Sequence, residues 1–249
     1  MSICGSQSVA KIAAVIFDYY ETLAELSNES RVRAFDAFAM QCGVALPSGE
    51  AYEHWRLFTT ADAKARFGDL PRHPLDGEPL PFVSFGEVWL KRFQELFDKW
   101  GVDTTPEAGA RMYREAHIAA PLYSDALPAL ENLRERSKLA ILSDADADFL
   151  HGNLARNSLV MDAVVSSEEL RAYKPHVSMF REVCARLDVE PAQAVYVGDS
   201  AWADIAGARN AGMHAVWINR YAVDWPDDIE PPNARVLSLS ELPETVAQL

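Results

Sequence analysis

Three apolar runs in this chain end on side chains that can do chemistry. AAVIF (13–17) delivers the chain to Asp18. LAILS (139–143) ends on Ser143, with Asp144 next. AVYVG (194–198) leads to Asp199, and Asp204 follows five residues later. Lys174 stands in RAYKPH, just beyond a fourth run, AVVSS (163–167). A carboxylate can attack an electrophile or ligate a hard cation. A hydroxyl or an ammonium can hold an oxyanion. One acid at the end of a run is more often a helix cap, and one lysine is more often a solvated charge. Three run ends that each present an acid or a hydroxyl, together with a lysine, make a stronger case for a site.

The elements around these residues predict how they are positioned. The four runs are almost continuously apolar, as strands covered on both faces are. HAVWIN (214–219) and the weaker ARVLS (234–238) extend the series. Helical patterns lie between them. ALPALENLRERS (126–137) aligns Leu127, Leu130 and Leu133, and VSMFREVCARLDV (177–189) aligns Met179, Phe180, Val183 and Leu187. Strand and helix thus alternate after residue 124, which predicts an α/β, doubly wound, Rossmann-like parallel sheet. In such sheets ligands bind outside the carboxyl ends of the strands, where the acids stand.

Residues 25–123 read differently. NESRVRAFDAFAMQCGV (28–44), FGEVWLKRFQELFDKWGV (85–102) and TPEAGARMYREAHI (105–118) are helical, with Gly101 as a C-cap and Thr105 before a proline as a helix start. GDLPRHPLDGEPLPF (68–82) is a Pro/Gly-rich connection. The expected organisation is a core of 1–24 and 124–249 with an all-helical module of 25–123 inserted after the first strand. The aromatics Tyr52, Trp55, Phe58, Phe67, Phe82, Phe85 and Trp89 are read mainly as helix-packing core. Gly207, Ala208 and Gly212 are read as allowing helix-on-sheet packing.

The net charge of −14 argues against nucleic acid and against an anionic membrane surface. Cys4, Cys42 and Cys184 lack CxxC spacing and read as reduced thiols. No run approaches the roughly 18 residues of a membrane span, and the N-terminus lacks the apolar centre of a signal peptide. A cytoplasmic protein acting on a small molecule, as a monomer or homodimer, is the expectation.

Four segments in this order, FDYYETL, ILSDAD, RAYKPH and VGDSAWADIAGARNAGMHAVWINR, resemble the haloacid dehalogenase-like superfamily of hydrolases, with the helical module where that superfamily carries its cap. The resemblance implies Asp18 as nucleophile, Ser143 binding the transferred group, Lys174 neutralising it, and Mg²⁺ held by Asp18, the Tyr20 backbone carbonyl, Asp199 and Asp204, the last directly or through water. Asp144 and Asp146 are either helix caps or substrate contacts.

The opening motif departs from the family's phosphatases. They read DxDGT, and the second acid protonates the leaving group; this chain has Tyr20 and, in place of the glycine, Glu21. A tyrosine, with an ordinary pKa near 10, is a weak substitute. The 2-haloacid dehalogenases of the superfamily read DxYGT, use no metal, and receive the halide on a cap arginine, which Arg56 in AYEHWRLF resembles. Their fourth segment, however, reads like SSNxxD, whereas GDSAWAD is one residue longer and carries the magnesium-type acid. A Mg²⁺-dependent phosphatase acting on a small phosphorylated metabolite is the leading reading, and haloacid dehalogenation is the alternative. Phosphonate cleavage through a cap lysine (Lys64 or Lys91) and a binding protein of impaired catalysis are further ones.

Overall fold

The computed structural model describes residues 11–57 and 73–249. Six strands form one parallel sheet: β1 (Ala14–Phe17), β2 (Lys138–Ser143), β3 (Ala163–Ser166), β4 (Ala194–Gly198), β5 (His214–Ile218) and β6 (Ala234–Val236), in the order β3-β2-β1-β4-β5-β6. All five strand pairings are parallel. The chain lays β2 and β3 on one side of β1 and then β4 to β6 on the other. The strand order therefore reverses at β1, and a crevice opens at its carboxyl end.

The period of two along each strand divides the core. Val15, Phe17, Leu139, Ile141, Val195 and Val197 face one apolar cluster, while Ile16, Ala140, Leu142 and Tyr196 face another. The second cluster is completed by Met179, Phe180, Val183 and Leu187 of a helix over Val177–Leu187. The first takes Ala126, Ala129, Leu130 and Leu133 from α5 (Ala126–Arg134). Leu127, expected on that buried stripe, is 46% exposed. The helix docks through the 126, 129, 130, 133 spacing, and this turns Leu127 toward water.

Between β1 and that helix lie α1 (Asn28–Gln41), α2 (50–57), α3 (Phe85–Trp100) and α4 (Pro106–Ala119). Ser84 and Glu87 form a capping box at the start of α3, and Gly101 ends it in the left-handed conformation at φ 66°. Phe35 and Phe38 of α1, Trp55 of α2, Phe93 and Phe97 of α3 and Tyr113 of α4 pack together, continuous with the cluster under the sheet. The described part of the Pro/Gly-rich stretch, 73–82, is neither helix nor strand. Phe58, Lys64 and Phe67 lie outside the described residues. Among the described residues no helix is long and apolar enough to cross a membrane. Cys42 and Cys184 are free thiols.

Candidate active site

Asp18 directly follows β1, and its amide donates to the Val197 carbonyl of β4. The carboxylate is therefore fixed at the strand-order reversal. Lys174 reaches it from the loop after β3: its Nζ lies 2.7 Å from Asp18 Oδ1 and 2.6 Å from Asp204 Oδ1, and the lysine is 5% exposed. Burial pulls this ammonium's proton affinity down, but Asp18 and Asp204 outweigh it and raise it well above the ordinary value. Lys174 stays charged. Burial, opposed by Lys174 and reinforced by Asp204, pushes the Asp18 carboxyl up to about 6.

The GDS segment builds the opposite wall. Gly198 ends β4, and a Cβ there would meet the Asp204 carboxyl carbon at 2.4 Å, so only glycine admits that side chain. Asp204 sits in a π-helical turn, Ala201–Ala206. That wide turn absorbs the residue by which GDSAWAD is longer. Asp204 Oδ2 accepts from the Ser200 amide at 2.9 Å, so its carboxylate is committed to the interior. Asp199 stays open to solvent. Enclosure by the site, together with the Asp204 and Asp18 carboxylates, still raises its carboxyl well above the ordinary range. Ligand oxygens of Asp18, Asp199 and Asp204 all lie within 4.8 Å of one another. An all-oxygen, carboxylate-rich set of this span suits a hard divalent cation such as Mg²⁺.

Tyr196, in the middle of β4, is a member of the cluster that the sequence did not suggest. Its hydroxyl accepts from Lys174 Nζ at 3.1 Å and lies 2.9 Å from the Leu142 carbonyl and 3.2 Å from Asp204 Oδ1. The available signal was one polar-tipped residue inside an apolar strand. Ser143 ends β2 and is buried. Asp144 Oδ1 accepts from the Lys174 amide at 3.0 Å. Burial pushes the Asp144 carboxyl up to about 7. Asp146 occupies the N-cap position of α6 (Ala147–Arg156) without bonding to that helix. Its oxygens accept instead from the Phe85 and Gly86 amides, at 2.8 and 2.7 Å, at the start of α3.

Glu21 stands in the turn after Asp18 where the family's motif has glycine. Glu21 itself adopts the left-handed conformation at φ 67°. Its carboxylate accepts from the Leu26 amide at 2.7 Å and from Tyr221 Oη at 2.8 Å, away from Asp18. The Tyr20 carbonyl stays outside the backbone hydrogen bonds of this turn, which run from Glu21 to Ala24 and from Leu23 and Ala24 to Tyr19. The Tyr20 ring packs edge-on to His117, with its hydroxyl 3.4 Å from the His117 and Phe149 carbonyls. Burial raises this phenol well above its ordinary value.

A cavity of about 420 Å³ opens above Tyr20 and Asp144, between the sheet and α1–α4. Trp55, Phe85, Trp89 and Phe149 form its apolar walls, so Trp55, Phe85 and Trp89, read mainly as helix-packing core, also face the cavity. Arg56 lines it from the rim, half-exposed and 2.8 Å from Glu53. Arg31 and Arg92 line it from α1 and α3; neither was suggested by the sequence reading. Lys91 points outward, 4.0 Å from Glu95, and does not line the cavity.

The chain is similar to several known proteins. A model of haloacid dehalogenase-like hydrolases matches residues 12–212, and the chain belongs to that family. It is 28% identical over 241 residues to (S)-2-haloacid dehalogenase 1 of Pseudomonas sp. (strain CBS-3), covering 96% of this chain and 98% of that one. It is 31% identical over 233 residues to glyceraldehyde 3-phosphate phosphatase of Methanopyrus kandleri, covering 89% of each. The crystal structure of the HAD-hydrolase YfnB from Bacillus subtilis superposes with a TM-score of 0.76 at 19% identity, over 95% of this chain and 99% of that one. At that identity the likeness is one of fold.

Proposed function

We propose that this hydrolase is a Mg²⁺-dependent phosphatase of a small phosphorylated metabolite, with Asp18 as nucleophile. The observation that carries the reading is the convergence of Asp18, Asp199 and Asp204 on one point. Three carboxylates against the single Lys174 ammonium leave an excess of negative charge, and a divalent cation cancels it. Asp18, the Tyr20 carbonyl and Asp199 would hold the ion. Asp204, already bonded to Lys174, Tyr196 and the Ser200 amide, acts chiefly by fixing Lys174 and reaches the ion through water. Bound there, Mg²⁺ neutralises charge on the phosphoryl oxygens. Residues 25–123 act as a cap that excludes water and selects the substrate.

An Asp18 carboxylate oxygen attacks phosphorus, and the bond from phosphorus to the leaving oxygen breaks. Lys174 keeps Asp18 ionised and faces the phosphoryl oxygens, and Ser143 Oγ donates to one of them. Water then attacks the phosphorus of the aspartyl-phosphate, releasing phosphate and restoring Asp18. Tyr20 holds its proton too tightly to supply the leaving group. Asp144 is the carboxyl at the cavity that can carry a proton at neutral pH, as its rise to about 7 requires. Substrates that leave without proton transfer, such as acyl phosphates, are favoured.

The test is phosphate release from a panel of phosphomonoesters and acyl phosphates, with Mg²⁺, with chelator, and with Asp18→Asn. Release that needs both the metal and Asp18 is expected. Release that survives either loss contradicts the proposal.

Tyr20 and the cavity arginine Arg56 favour a second reading, displacement of halide from a 2-halo acid by Asp18, as does the full-length similarity to the Pseudomonas dehalogenase. Halide release from 2-chloropropionate in the presence of chelator, with no phosphate release from any ester, is the result that selects it.

A further inference from the structure

We infer that the cavity above Tyr20 and Asp144 holds the far end of the substrate, and that this end carries a second anionic group, a carboxylate or a phosphate, gripped by Arg31 and Arg92 beyond an apolar body lying against Trp55 and Trp89. This deepens the hydrolase reading of the same site and rests on it.

Arg31 breaks the pattern of its own helix. It shares the stripe of α1 that carries Phe35 and Phe38, four and seven residues on, both buried. A guanidinium placed among apolar groups costs stability unless partners compensate it. Among the described residues no carboxylate pairs with Arg31, and its Nε is buried without a hydrogen-bond partner. The protein groups beside it are the Tyr113 and Tyr52 hydroxyls and, further off, Glu21. Arg92 reaches the same cavity from α3, where it follows the stripe of Val88 and Trp89, and its guanidinium lies 5.7 Å from the centre of the Trp55 ring. Two arginines therefore converge inside a protein whose net charge is −14. The one acid lining this cavity among the described residues is Asp144, and burial pushes its carboxyl up to about 7. His117 adds no charge, because burial lowers it to about 4.

The arginines do not serve the transferred group. Asp18 is not among the residues that line the cavity, whereas Tyr20, two residues on, is. A volume of about 420 Å³ is also in the range of pockets that enclose a whole small ligand, well beyond one phosphoryl group or a three-carbon halo acid. The guanidinium fork matches a carboxylate or a phosphate in two parallel hydrogen bonds, and flat apolar walls suit a flat or aliphatic linker. The geometry thus points to a bifunctional substrate, with the reacting group at Asp18 and a second anion at Arg31.

The test uses ligands that cannot react: 3-phenylpropionate, 2-phenylethylphosphonate and the neutral 3-phenylpropionamide, titrated into the full chain and followed by tryptophan fluorescence. Both anions are expected to bind at least about tenfold more tightly than the amide. Arg31→Gln and Arg92→Gln each reduce the anion affinities toward that of the amide and leave the amide unchanged, while Arg31→Lys, which keeps the charge and loses the fork, falls between. Retained amide binding certifies that a variant is folded, and Arg92→Gln carries the test should Arg31→Gln not fold. The order of the two anions identifies a carboxylate or a phosphate at the far end. Equal binding of anions and amide by the wild type, or anion binding unchanged in the glutamine variants, overturns the inference. No turnover is involved, so a failure of phosphate release and a failure of this selectivity are separate results.

Discussion

In the proposed phosphatase, Tyr20 holds the position of the family's second acid and Asp144 would carry the proton. The turn places Tyr20 beside Asp18, but its buried phenol keeps its proton. Asp144 lines the cavity with a carboxyl raised to about 7. Folding makes Asp144 a tighter proton binder than the ordinary 3.8 of the unfolded chain. Its contribution to stability is therefore complete at low pH and is lost as pH rises through about 7, where the folded chain must carry a buried charge. Asp144→Asn carries no such charge. Its melting temperature relative to wild type is expected to rise between pH 4 and pH 7 and then level off, as read by thermal melts across that series. A constant difference would show that Asp144 titrates normally. The same variant slows turnover of alkyl phosphates and spares acyl phosphates if Asp144 supplies the leaving-group proton. Sequence reading reached Asp18, Ser143, Lys174, Asp199 and Asp204 because each ends a strand or follows one closely. It missed Tyr196, Arg31 and Arg92. These residues sit inside apolar patterns, and a polar tip in such a pattern declares itself only when the partners it reaches are known.

The elements fasten α1–α4 to the helices and strands around the sheet at a few defined points. Asp146 is one: it stands at the start of α6 but caps α3, 60 residues away in sequence, through the Phe85 and Gly86 amides. Asn153 of α6 is another. Its amide donates to the His117, Ile118 and Ala120 carbonyls at the end of α4, and its oxygen accepts from Tyr19 Oη at 2.5 Å. A cap provided by another element is invisible to local rules, which look for the acceptor next to the amides it satisfies. The six strands and the long amphipathic helices, by contrast, were legible, because continuous apolar runs and helical stripes are local, whereas α6 and the helix over Leu242–Ala247 were not read. Leu127 was misplaced because two overlapping spacings fit that helix, and only the docked partner chooses one. Asp146→Ala leaves the Phe85 and Gly86 amides without their charged acceptor and is expected to lower stability by about 1–2 kcal/mol. Asp146→Asn should recover part of that. Urea denaturation measures both, and an unchanged midpoint for the alanine variant would mean that the capping box of Ser84 and Glu87 suffices alone.

At the scale of the whole molecule the central fact is charge. A chain of net charge −14 repels the anions it is proposed to bind. Binding, as proposed above, therefore depends on local reversals of that field at two places. At the cavity Arg31 and Arg92 would supply one. At the strand ends Lys174 faces Asp18, Asp199 and Asp204, and a cation would complete the balance. The most direct measurement is calorimetric titration of Mg²⁺ into the wild-type chain and into Asp199→Asn. Asp199 is the acid of the three that makes no ion pair with Lys174 and stays open to solvent, so its loss removes a ligand without disturbing the buried pairs. The account predicts one Mg²⁺ site per chain, weakened about tenfold or more in the variant. Absence of Mg²⁺ binding to the wild type, or binding indifferent to Asp199, would contradict it and turn the chemistry of Asp18 toward metal-free displacement.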